Sequence, residues 1–261
     1  MLNPNLNLND LQQNYLQNSP HHVVIQDLFD SNFIRVCEQE FLHLSDEDFF
    51  RYSDPYFEFE KYTLNEVDRM PENLKKLFIY IHSEEFIRFI QEITGLQNLK
   101  IDEKRWGGGL HKTKPGGYLS IHKDFNVLPD SYSKEKQLLR CINVIGYLTD
   151  EDQTFNDGSL EFWKEGQVTK LLNQFNSWVI FDTRDNFHGQ PFPFKGKKPR
   201  MSIASYYYKE EKIESQIWKS TDYLKLPWME DSEEYQEARA IRSNPKIRYS
   251  KIYNFENSNP K

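Results

Sequence analysis

The fold is decided by residues 177–208, which read SWVIFDTRDNFHGQPFPFKGKKPRMSIASYYY. Two apolar runs rich in β-branched and aromatic residues, Ser177–Phe181 and Met201–Tyr208, flank a loop that contains three prolines. Short runs of this composition, bounded by Pro and Gly, are typical of strands. The stretch therefore predicts two strands of a β-rich core, with His188 after the first and Arg200 at the start of the second.

The same pattern extends upstream to about residue 101. Further short strands are predicted at Tyr118–His122, Cys141–Leu148 and Leu160–Trp163, with turn signals at Lys114–Gly117 and Asn156–Gly158 between them. Many short strands separated by turns indicate a β-sandwich or jelly roll. The twelve residues Asn126–Gln137 are long for a strand connection, and they are predicted to be either a mobile flap over the substrate entrance or an ordinary surface loop.

Residues 31–100 have a helical period instead. Apolar residues recur every three or four positions in segments that begin near Ser31, Pro71 and Ser83, and Gly95 is placed to end the last one. These apolar stripes are expected to pack against a sheet and to carry no catalytic role. Helices followed by strands predict an α+β fold, with a jelly-roll (double-stranded β-helix) core buttressed by N-terminal helices.

The chain is predicted to hold one domain, residues 21–210, with helical support over 21–100 and the jelly-roll core over 101–210. Residues 1–20 are rich in Asn and Gln and are expected to be a loose arm, or alternatively a short helix. Residues 211–261 form a polar C-terminal extension with a helix-like stretch near Glu233–Ser243. The sequence does not indicate the role of this extension or the oligomeric state.

Charge and cysteine content exclude some classes of protein. The formal net charge is −7 and no basic stripe is visible, which argues against nucleic acid as a partner. The two cysteines, Cys37 and Cys141, each lie in an apolar stretch and predict buried free thiols in a reducing compartment. With no signal peptide and no membrane-spanning run, the sequence predicts a soluble, cytoplasmic protein with no membrane partner.

Two histidines and an aspartate form a candidate metal site. His122 and Asp124 end a predicted strand and, two positions apart, point to the same face. Taken alone they are better explained as solvated residues at a strand end, and a lone histidine such as His188 is usually structural. Together they match the 2-His-1-carboxylate set that holds non-haem iron(II) and leaves coordination positions open.

Arg200 and Ser202 form a candidate anion site. They share one face of the predicted strand, and a buried arginine needs an anionic partner, for which a bound dicarboxylate is a natural candidate. Ser202 can add a hydroxyl donor. The alternatives are that Arg200 is exposed at a strand start, or that the nearby Lys198 is the anchor; Lys198 precedes Pro199 in a loop, which favours Arg200.

The order of these motifs resembles the 2-oxoglutarate/Fe(II) oxygenase superfamily, and most closely its prolyl-4-hydroxylase-like branch. The residues that carry the likeness are the His-x-Asp motif, His188, and the Arg-x-Ser motif twelve residues later. Three further segments also resemble this family: Pro115–Leu119, Arg140–Leu148 and Asp157–Phe162. The resemblance covers about residues 100–208, with a weaker helical match over 21–100.

The resemblance implies that His122, Asp124 and His188 bind Fe(II) and that Arg200 anchors the distal carboxylate of the co-substrate 2-oxoglutarate. It leaves open whether Tyr147 contacts that carboxylate or is a core aromatic. It likewise leaves open whether Asn143 contacts the co-substrate or serves packing, and whether His111 lines the substrate pocket or is structural. Whether Thr113 contacts the co-substrate or the substrate is also open. Thr113 stands where many members have tyrosine.

The resemblance also implies the chemistry. It predicts a dioxygenase that consumes dioxygen and 2-oxoglutarate, with ascorbate as a possible reductant, and that hydroxylates an aliphatic carbon. A prolyl residue or a free amino acid is the first expectation for the substrate, and the carboxylate at Asp124 favours hydroxylation over halogenation. The alternatives are hydroxylation of another small metabolite and a non-catalytic jelly-roll binding protein.

Overall fold

The computed structural model describes residues 1–131, 136–149, 158–184, 186–212 and 219–244. Parts of the flap segment (132–135), of the Asn156–Gly158 turn (156–157) and of the C-terminal extension (213–218 and 245–261) therefore lie outside the described residues. Within the described ranges the chain forms the helices α1 Leu8–Gln17, α2 Ser31–Leu42, α3 Glu72–Ile81, α4 Glu84–Thr94 and α5 Glu233–Ser243. None of these helices has the length and hydropathy that a membrane span requires.

Twelve strands are present in the same ranges: β1 His22–Gln26, β2 Phe50–Asp54, β3 Glu58–Leu64, β4 Leu99–Ile101, β5 Gly109–Lys123, β6 Lys136–Tyr147, β7 Leu160–Lys164, β8 Gln167–Leu171, β9 Ser177–Asp182, β10 Phe187–Gln190, β11 Arg200–Lys212 and β12 Asp222–Tyr223. Eight of them follow one antiparallel path in the order β1-β9-β6-β11-β5-β10-β7-β8. The remaining strands flank it, because β3 and β12 pair with β5, β4 pairs with β11, and β2 pairs with β3.

The sheet curls into a nearly closed barrel. Apolar residues of β7 and β8 pack face to face against those of β6 and β9 in one buried cluster: Tyr147, Leu160, Phe162, Leu171, Val179 and Phe181. Two layers of antiparallel strands that share such a core form a jelly roll. The predicted fold class, an α+β jelly roll supported by helices, is confirmed.

The N-terminal helices cover the outer face of this barrel. Their buried residues recur every three or four positions as predicted and join one large core with outward-facing residues of the sheet: Ile34, Cys37 and Phe41 of α2, Leu74, Leu77, Phe78 and Ile81 of α3, and Phe86, Ile90 and Ile93 of α4. Ser83 caps α4 and Gly95 ends it at φ +73°, as expected. The cap of α2 differs from expectation, because Asp30 rather than Ser31 accepts the backbone N–H of Phe33.

Alternation along β11 separates the two faces. Met201 and Ile203 belong to the core beneath the helices, whereas Arg200 and Ser202 are buried on the opposite face. The inner face of the barrel is therefore polar along this strand. The polar residues of this strand therefore offer a place for a ligand beside the apolar cluster of β6 to β9.

The predicted break at Lys114–Gly117 is wrong, because β5 runs through it. Residues 114–117 lie opposite the single residue Glu60 of β3 and form a bulge. Gly116 adopts φ +83° there, and its N–H donates to the carbonyl of Phe194 in the neighbouring loop at 2.6 Å. Residues of turn-like composition are thus part of the strand, because a residue distant in sequence, Phe194, forms a hydrogen bond with their backbone.

The helical assignment of residues 31–100 also misses three strands, β2, β3 and the start of β4 at Leu99. β2 and β3 form a hairpin-like pair within it, and β3 continues the barrel by pairing with β5. Residues 8–17, where the sequence allowed a loose arm or a short helix, form α1, whose Tyr15 is buried. The helix-like stretch near Glu233–Ser243 is confirmed as α5.

The described part of the flap segment is anchored. Leu128 N–H donates to the carbonyl of Leu138 at 2.8 Å, and the Ser131 hydroxyl accepts the N–H of the same residue at 3.0 Å. The first half of the segment thus runs back along β6, which begins at Lys136, earlier than the predicted Cys141.

Candidate metal centre

Three side chains from two neighbouring strands converge at one end of the barrel. His122 of β5 lies directly opposite His188 of β10 in the strand register, and Asp124 follows β5 by one residue. Asp124 Oδ1 lies 3.6 Å from His122 Nε2, and its Oδ2 lies 3.6 Å from His188 Nε2. Potential ligand atoms of all three lie within 4.8 Å of one another. Two imidazole nitrogens and one carboxylate at this spacing suit a divalent transition metal.

Backbone carbonyls orient both imidazoles. The Nδ1 atom of His122 lies 2.8 Å from the carbonyl oxygen of Ser120, and that of His188 lies 3.2 Å from the carbonyl oxygen of Asn186. Because a carbonyl can only accept, each Nδ1 carries a proton, and each Nε2 is directed toward Asp124. Burial, followed by the nearby His122, lowers the pKa of His188 to about 4. At neutral pH His188 is therefore in the form that binds a metal.

Asp124 is held as an anion by a buried arginine. Burial alone would raise the pKa of Asp124, but Arg140 Nη1 lies 3.3 Å from Oδ1 and, with the two histidines, lowers that pKa far below its usual range. Both side chains are more than nine-tenths buried. A lowered pKa means that the Asp124 carboxylate is ionised at neutral pH.

Arg140 is itself fixed by aromatic rings. Its guanidinium carbon lies 3.6 Å from the ring centroid of Phe125 and 3.7 Å from that of Tyr206, so the group is sandwiched between two rings. It also donates to the hydroxyl of Tyr208 at 3.0 Å and to the carbonyl of Trp106 at 2.7 Å. Sequence analysis did not single out Arg140, although a charged residue inside the apolar run of β6 was a visible signal.

The two histidines can face each other because β10 approaches β5 closely at Gly189. A Cβ atom at Gly189 would lie 2.7 Å from the carbonyl oxygens of both Leu119 and Ser120. Such contacts do not occur in real structures, so only glycine fits beside His188. The position lies directly after the predicted ligand and maintains the strand spacing that the site needs.

Arg200 is buried inside the barrel, as the anion-site prediction requires. Its Nε donates to the carbonyl of Gly158 at 2.8 Å, and its guanidinium carbon lies 4.9 Å from the ring centroid of Tyr147. Among the described residues no carboxylate forms an ion pair with it. Lys198, the competing anchor, is exposed in the loop before β11.

Polar atoms that form no hydrogen bond within the described residues lie on β5 and β6, the two strands that flank β11. Ser202 lies opposite both Tyr147 of β6 and His111 of β5, and all three side chains point into the barrel. The Tyr147 hydroxyl, the Asn143 Oδ1 and the His111 Nε2 are buried and have no hydrogen-bond partner within the described residues. Burial, with the charges of Lys61 and Arg200, lowers the pKa of His111 to about 3, so it is neutral. Buried polar atoms normally have partners, so this cluster fits a polar ligand such as a dicarboxylate.

Thr113 lies next to Arg200 in the register of β5 and β11 and is buried. Its side chain is much smaller than the tyrosine expected from the resemblance, and Lys61 of β3 lies opposite it on the other side. Two charged residues of β3, Glu58 and Lys61, share this inner face. Sequence analysis missed both because their segment was assigned a helical period.

The C-terminal segment completes the wall beside His122. β12 pairs with the end of β5, and the ring of Tyr223 lies 5.4 Å from the imidazole of His122 at an interplanar angle of 34°. The Tyr223 hydroxyl donates to Glu58 Oε1 at 3.0 Å, and Arg242 of α5 lies 3.9 Å from Glu58 Oε2. Residues after 211 therefore contribute to the metal end of the barrel, a role that the sequence did not reveal.

A family model supports the reading of this geometry. Residues 108–208, which include all three convergent residues and Arg200, match the model of the 2OG-Fe(II) oxygenase superfamily. This part of the chain is therefore similar to a 2OG-Fe(II) oxygenase domain. Iron(II) and 2-oxoglutarate are the cofactors of this superfamily, and the prediction of an iron- and 2-oxoglutarate-dependent enzyme is confirmed at that level. No curated protein matches the chain.

Solved structures resemble the oxygenase domain and its surroundings in fold. A prolyl-4-hydroxylase from Pseudomonas putida superposes with a TM-score of 0.56 at 11% identity, over 78% of this chain and 99% of that chain. A prolyl hydroxylase from Trichoplax adhaerens, in complex with a hypoxia inducible factor oxygen degradation domain peptide fragment, gives 0.55 at 18% identity over 77% and 88%. HygX from Streptomyces hygroscopicus, with nickel, 2-oxoglutarate and hygromycin B bound, gives 0.54 at 14% identity over 76% and 86%. At these identities the likenesses show that this chain shares the fold of these enzymes, two of which are prolyl hydroxylases.

Proposed function

We propose that this chain is an Fe(II)- and 2-oxoglutarate-dependent hydroxylase in which His122, Asp124 and His188 hold the iron. The observation that carries the proposal is the convergence of two Nε2 atoms on the two oxygens of one buried carboxylate, at 3.6 Å each. The donor set and the fixed tautomers fit iron(II). When bound, iron(II) and 2-oxoglutarate supply the oxidising chemistry that inserts one oxygen atom of dioxygen into a substrate C–H bond and releases succinate and carbon dioxide.

The protein's own residues then have three tasks. Arg140 keeps Asp124 ionised and oriented, so the ligand set carries one negative charge. Arg200 binds the distal carboxylate of 2-oxoglutarate through its planar fork, and Ser202, Tyr147 and Asn143 offer hydrogen bonds along the co-substrate. The enclosed barrel interior keeps bulk water from the reacting atoms. A carboxylate at position 124 occupies the place that a halide would need, which favours hydroxylation.

For the substrate, we propose an aliphatic carbon of a prolyl residue in a peptide or of a free amino acid. Support for a peptidyl substrate comes from the two prolyl hydroxylases among the structural neighbours. HygX, which binds hygromycin B, illustrates that this fold also accepts a small metabolite. A screen of amino acids and proline-containing peptides, with succinate release as the readout, would choose between them.

The metal assignment is tested with His188→Ala. We expect loss of tight Fe(II) binding and a loss of at least about a hundredfold in 2-oxoglutarate turnover to succinate, because one of three ligands is removed. His43→Ala is the matched control, since His43 is exposed on the outer helical layer and its ring Nδ1 lies 2.6 Å from the Gln39 carbonyl, away from the metal centre. Near-normal succinate release by His188→Ala would refute the ligand set. Fe(II) and 2-oxoglutarate binding by the wild type without any turnover would instead indicate a non-catalytic binding protein.

A further inference from the structure

A second cation of the barrel interior lies in the same row as Arg200. In the strand register Lys61 of β3 lies opposite Thr113 of β5, and Thr113 lies opposite Arg200 of β11. Directly opposed residues of a sheet point to the same face. The adjacent row, which contains Tyr62 and Met201, packs into the core beneath the helices. Lys61, Thr113 and Arg200 therefore all point into the barrel.

The span between the two cations suits one small anion. Two strand spacings separate the backbone at Lys61 from that at Arg200, which is about 10 Å. Both side chains are long and the residue between them, Thr113, is short, so the ammonium and the guanidinium can meet over its hydroxyl. A tyrosine at position 113 would fill this space. The chain's departure from the pattern of the resembling family thus opens a path from Lys61 to the Arg200 site.

No carboxylate of the described residues neutralises Lys61. The ammonium has no ion pair or hydrogen bond among them, and its nearest aromatic contact, the Tyr52 ring centroid, is 5.6 Å away. The closest candidate, Glu58, accepts a hydrogen bond from Tyr223 and lies 3.9 Å from Arg242. Burial lowers the pKa of Lys61, while the charges of Glu58 and Asp124 raise it. Two inward cations flanking one threonine, both without a protein counter-ion in the described ranges, are costly unless an anion binds between them.

We infer that Lys61 is a second cationic ligand of 2-oxoglutarate, which grips the distal carboxylate together with Arg200 across Thr113. This inference rests on the proposed function, since it assumes that the Arg200 end of the barrel takes the distal carboxylate. It adds a positioning residue from β3, a strand that lies outside the matched oxygenase domain. The distal carboxylate would then bind the planar guanidinium of Arg200 on one side and the ammonium of Lys61 on the other.

The test compares two 2-oxo acids of equal chain length. Fe(II)-loaded wild type, Lys61→Met and Lys61→Arg are titrated without oxygen, with 2-oxoglutarate and with 2-oxopentanoate, which lacks the distal carboxylate. We expect Lys61→Met to weaken 2-oxoglutarate binding at least about tenfold, the size of one lost hydrogen bond to a charged group, and 2-oxopentanoate binding less than about twofold. Lys61→Arg should keep most of the 2-oxoglutarate affinity. Lys114→Met, which removes an outward lysine paired with Asp46, should change neither.

Thermal unfolding distinguishes a lysine that binds 2-oxoglutarate from one that only stabilises the fold. Because Lys61 is an inward charge without a counter-ion, unliganded Lys61→Met should be at least as stable as the wild type, while its gain in Tm on adding 2-oxoglutarate should be smaller. Equal weakening of both 2-oxo acids, or unchanged 2-oxoglutarate binding, would overturn the inference and leave the proposed function intact. A wild type that binds 2-oxoglutarate no better than 2-oxopentanoate would overturn both.

Discussion

Replacing Arg200 by alanine tests the co-substrate site most directly. The guanidinium is buried, with a residue exposure of 7%, and it lies beside Tyr147 and the unpartnered polar atoms of the barrel interior. If it pairs with the distal carboxylate of 2-oxoglutarate, its removal leaves a buried anion without its main partner. Truncating one side of such a pair costs roughly 2–5 kcal/mol. This corresponds to a loss of roughly 30-fold to a few thousand-fold in affinity.

The lower half of that range is the expectation for Arg200→Ala, because Lys61 remains on the other side of Thr113. The assay is an anaerobic titration of the Fe(II)-loaded protein with 2-oxoglutarate. Lys198→Ala is the control, since Lys198 is exposed and should leave the affinity within about threefold of the wild type. A Tm close to that of the wild type in Arg200→Ala would establish that the barrel is intact. If Lys198→Ala gives the larger loss, the anchor is Lys198 and the assignment of Arg200 is refuted.

Two further outcomes follow from the geometry. Gly189→Ala should abolish Fe(II) binding and reduce the free energy of unfolding by roughly 1–3 kcal/mol. The new Cβ would lie 2.7 Å from two carbonyl oxygens and would force β10 away from β5. Fe(II) affinity equal to that of the wild type would show that the strands need not approach so closely. The Nε2 atom of His82 lies 2.9 Å from the Ser205 hydroxyl, and burial lowers the pKa of His82 to about 4. As the pH falls below about 6.5, this histidine therefore takes up a proton in the unfolded chain before it does so in the folded protein. The stability of the wild type relative to His82→Gln should therefore fall by about 1–2 kcal/mol between pH 8 and pH 5, as measured by urea unfolding, and a pH-independent difference would contradict the lowered pKa.

The fixed position of Arg140 beside Asp124 should also increase the affinity of the site for metal. Arg140 is sandwiched between Phe125 and Tyr206 and reaches only one oxygen of Asp124. A ring on each face prevents the guanidinium from moving toward solvent, so the carboxylate keeps a fixed direction before any metal arrives. Preorganisation of this kind lowers the cost of ordering a ligand when the metal binds.

The local sequence determined those helices and strands in which apolar residues recur at a regular spacing. The stripe of Leu74, Leu77, Phe78 and Ile81 on α3 follows from a 3.6-residue period, and the alternation of Arg200 and Ser202 with Met201 and Ile203 follows from a two-residue period. Because side-chain direction depends on these periods alone, the covered face of each helix and the two faces of β11 could be predicted without any partner. The order of the ligand residues along the chain was likewise sufficient to predict the family.

Non-local pairing decided the rest. The Lys114–Gly117 segment has the composition of a turn, yet the chain runs through it because Gly116 bonds to Phe194. Likewise β3 carries no sequence signal as strong as the helices beside it, and it is a strand because β5 offers it a pairing edge. Such contacts join residues dozens of positions apart, so no local period contains them.

For the same reason the sequence determined which residue types can bind iron and a carboxylate, but not which others would meet them. His122, Asp124, His188 and Arg200 could be named because strand ends and residue order identify them. Arg140 and Lys61 approach the site only through the register of β6 and β3 against their neighbours. Register sets which side chains share a face across a sheet, and it is fixed by the packing of the whole barrel. The candidate triad could therefore be named from the sequence, and the charges that surround it were decided by the tertiary structure.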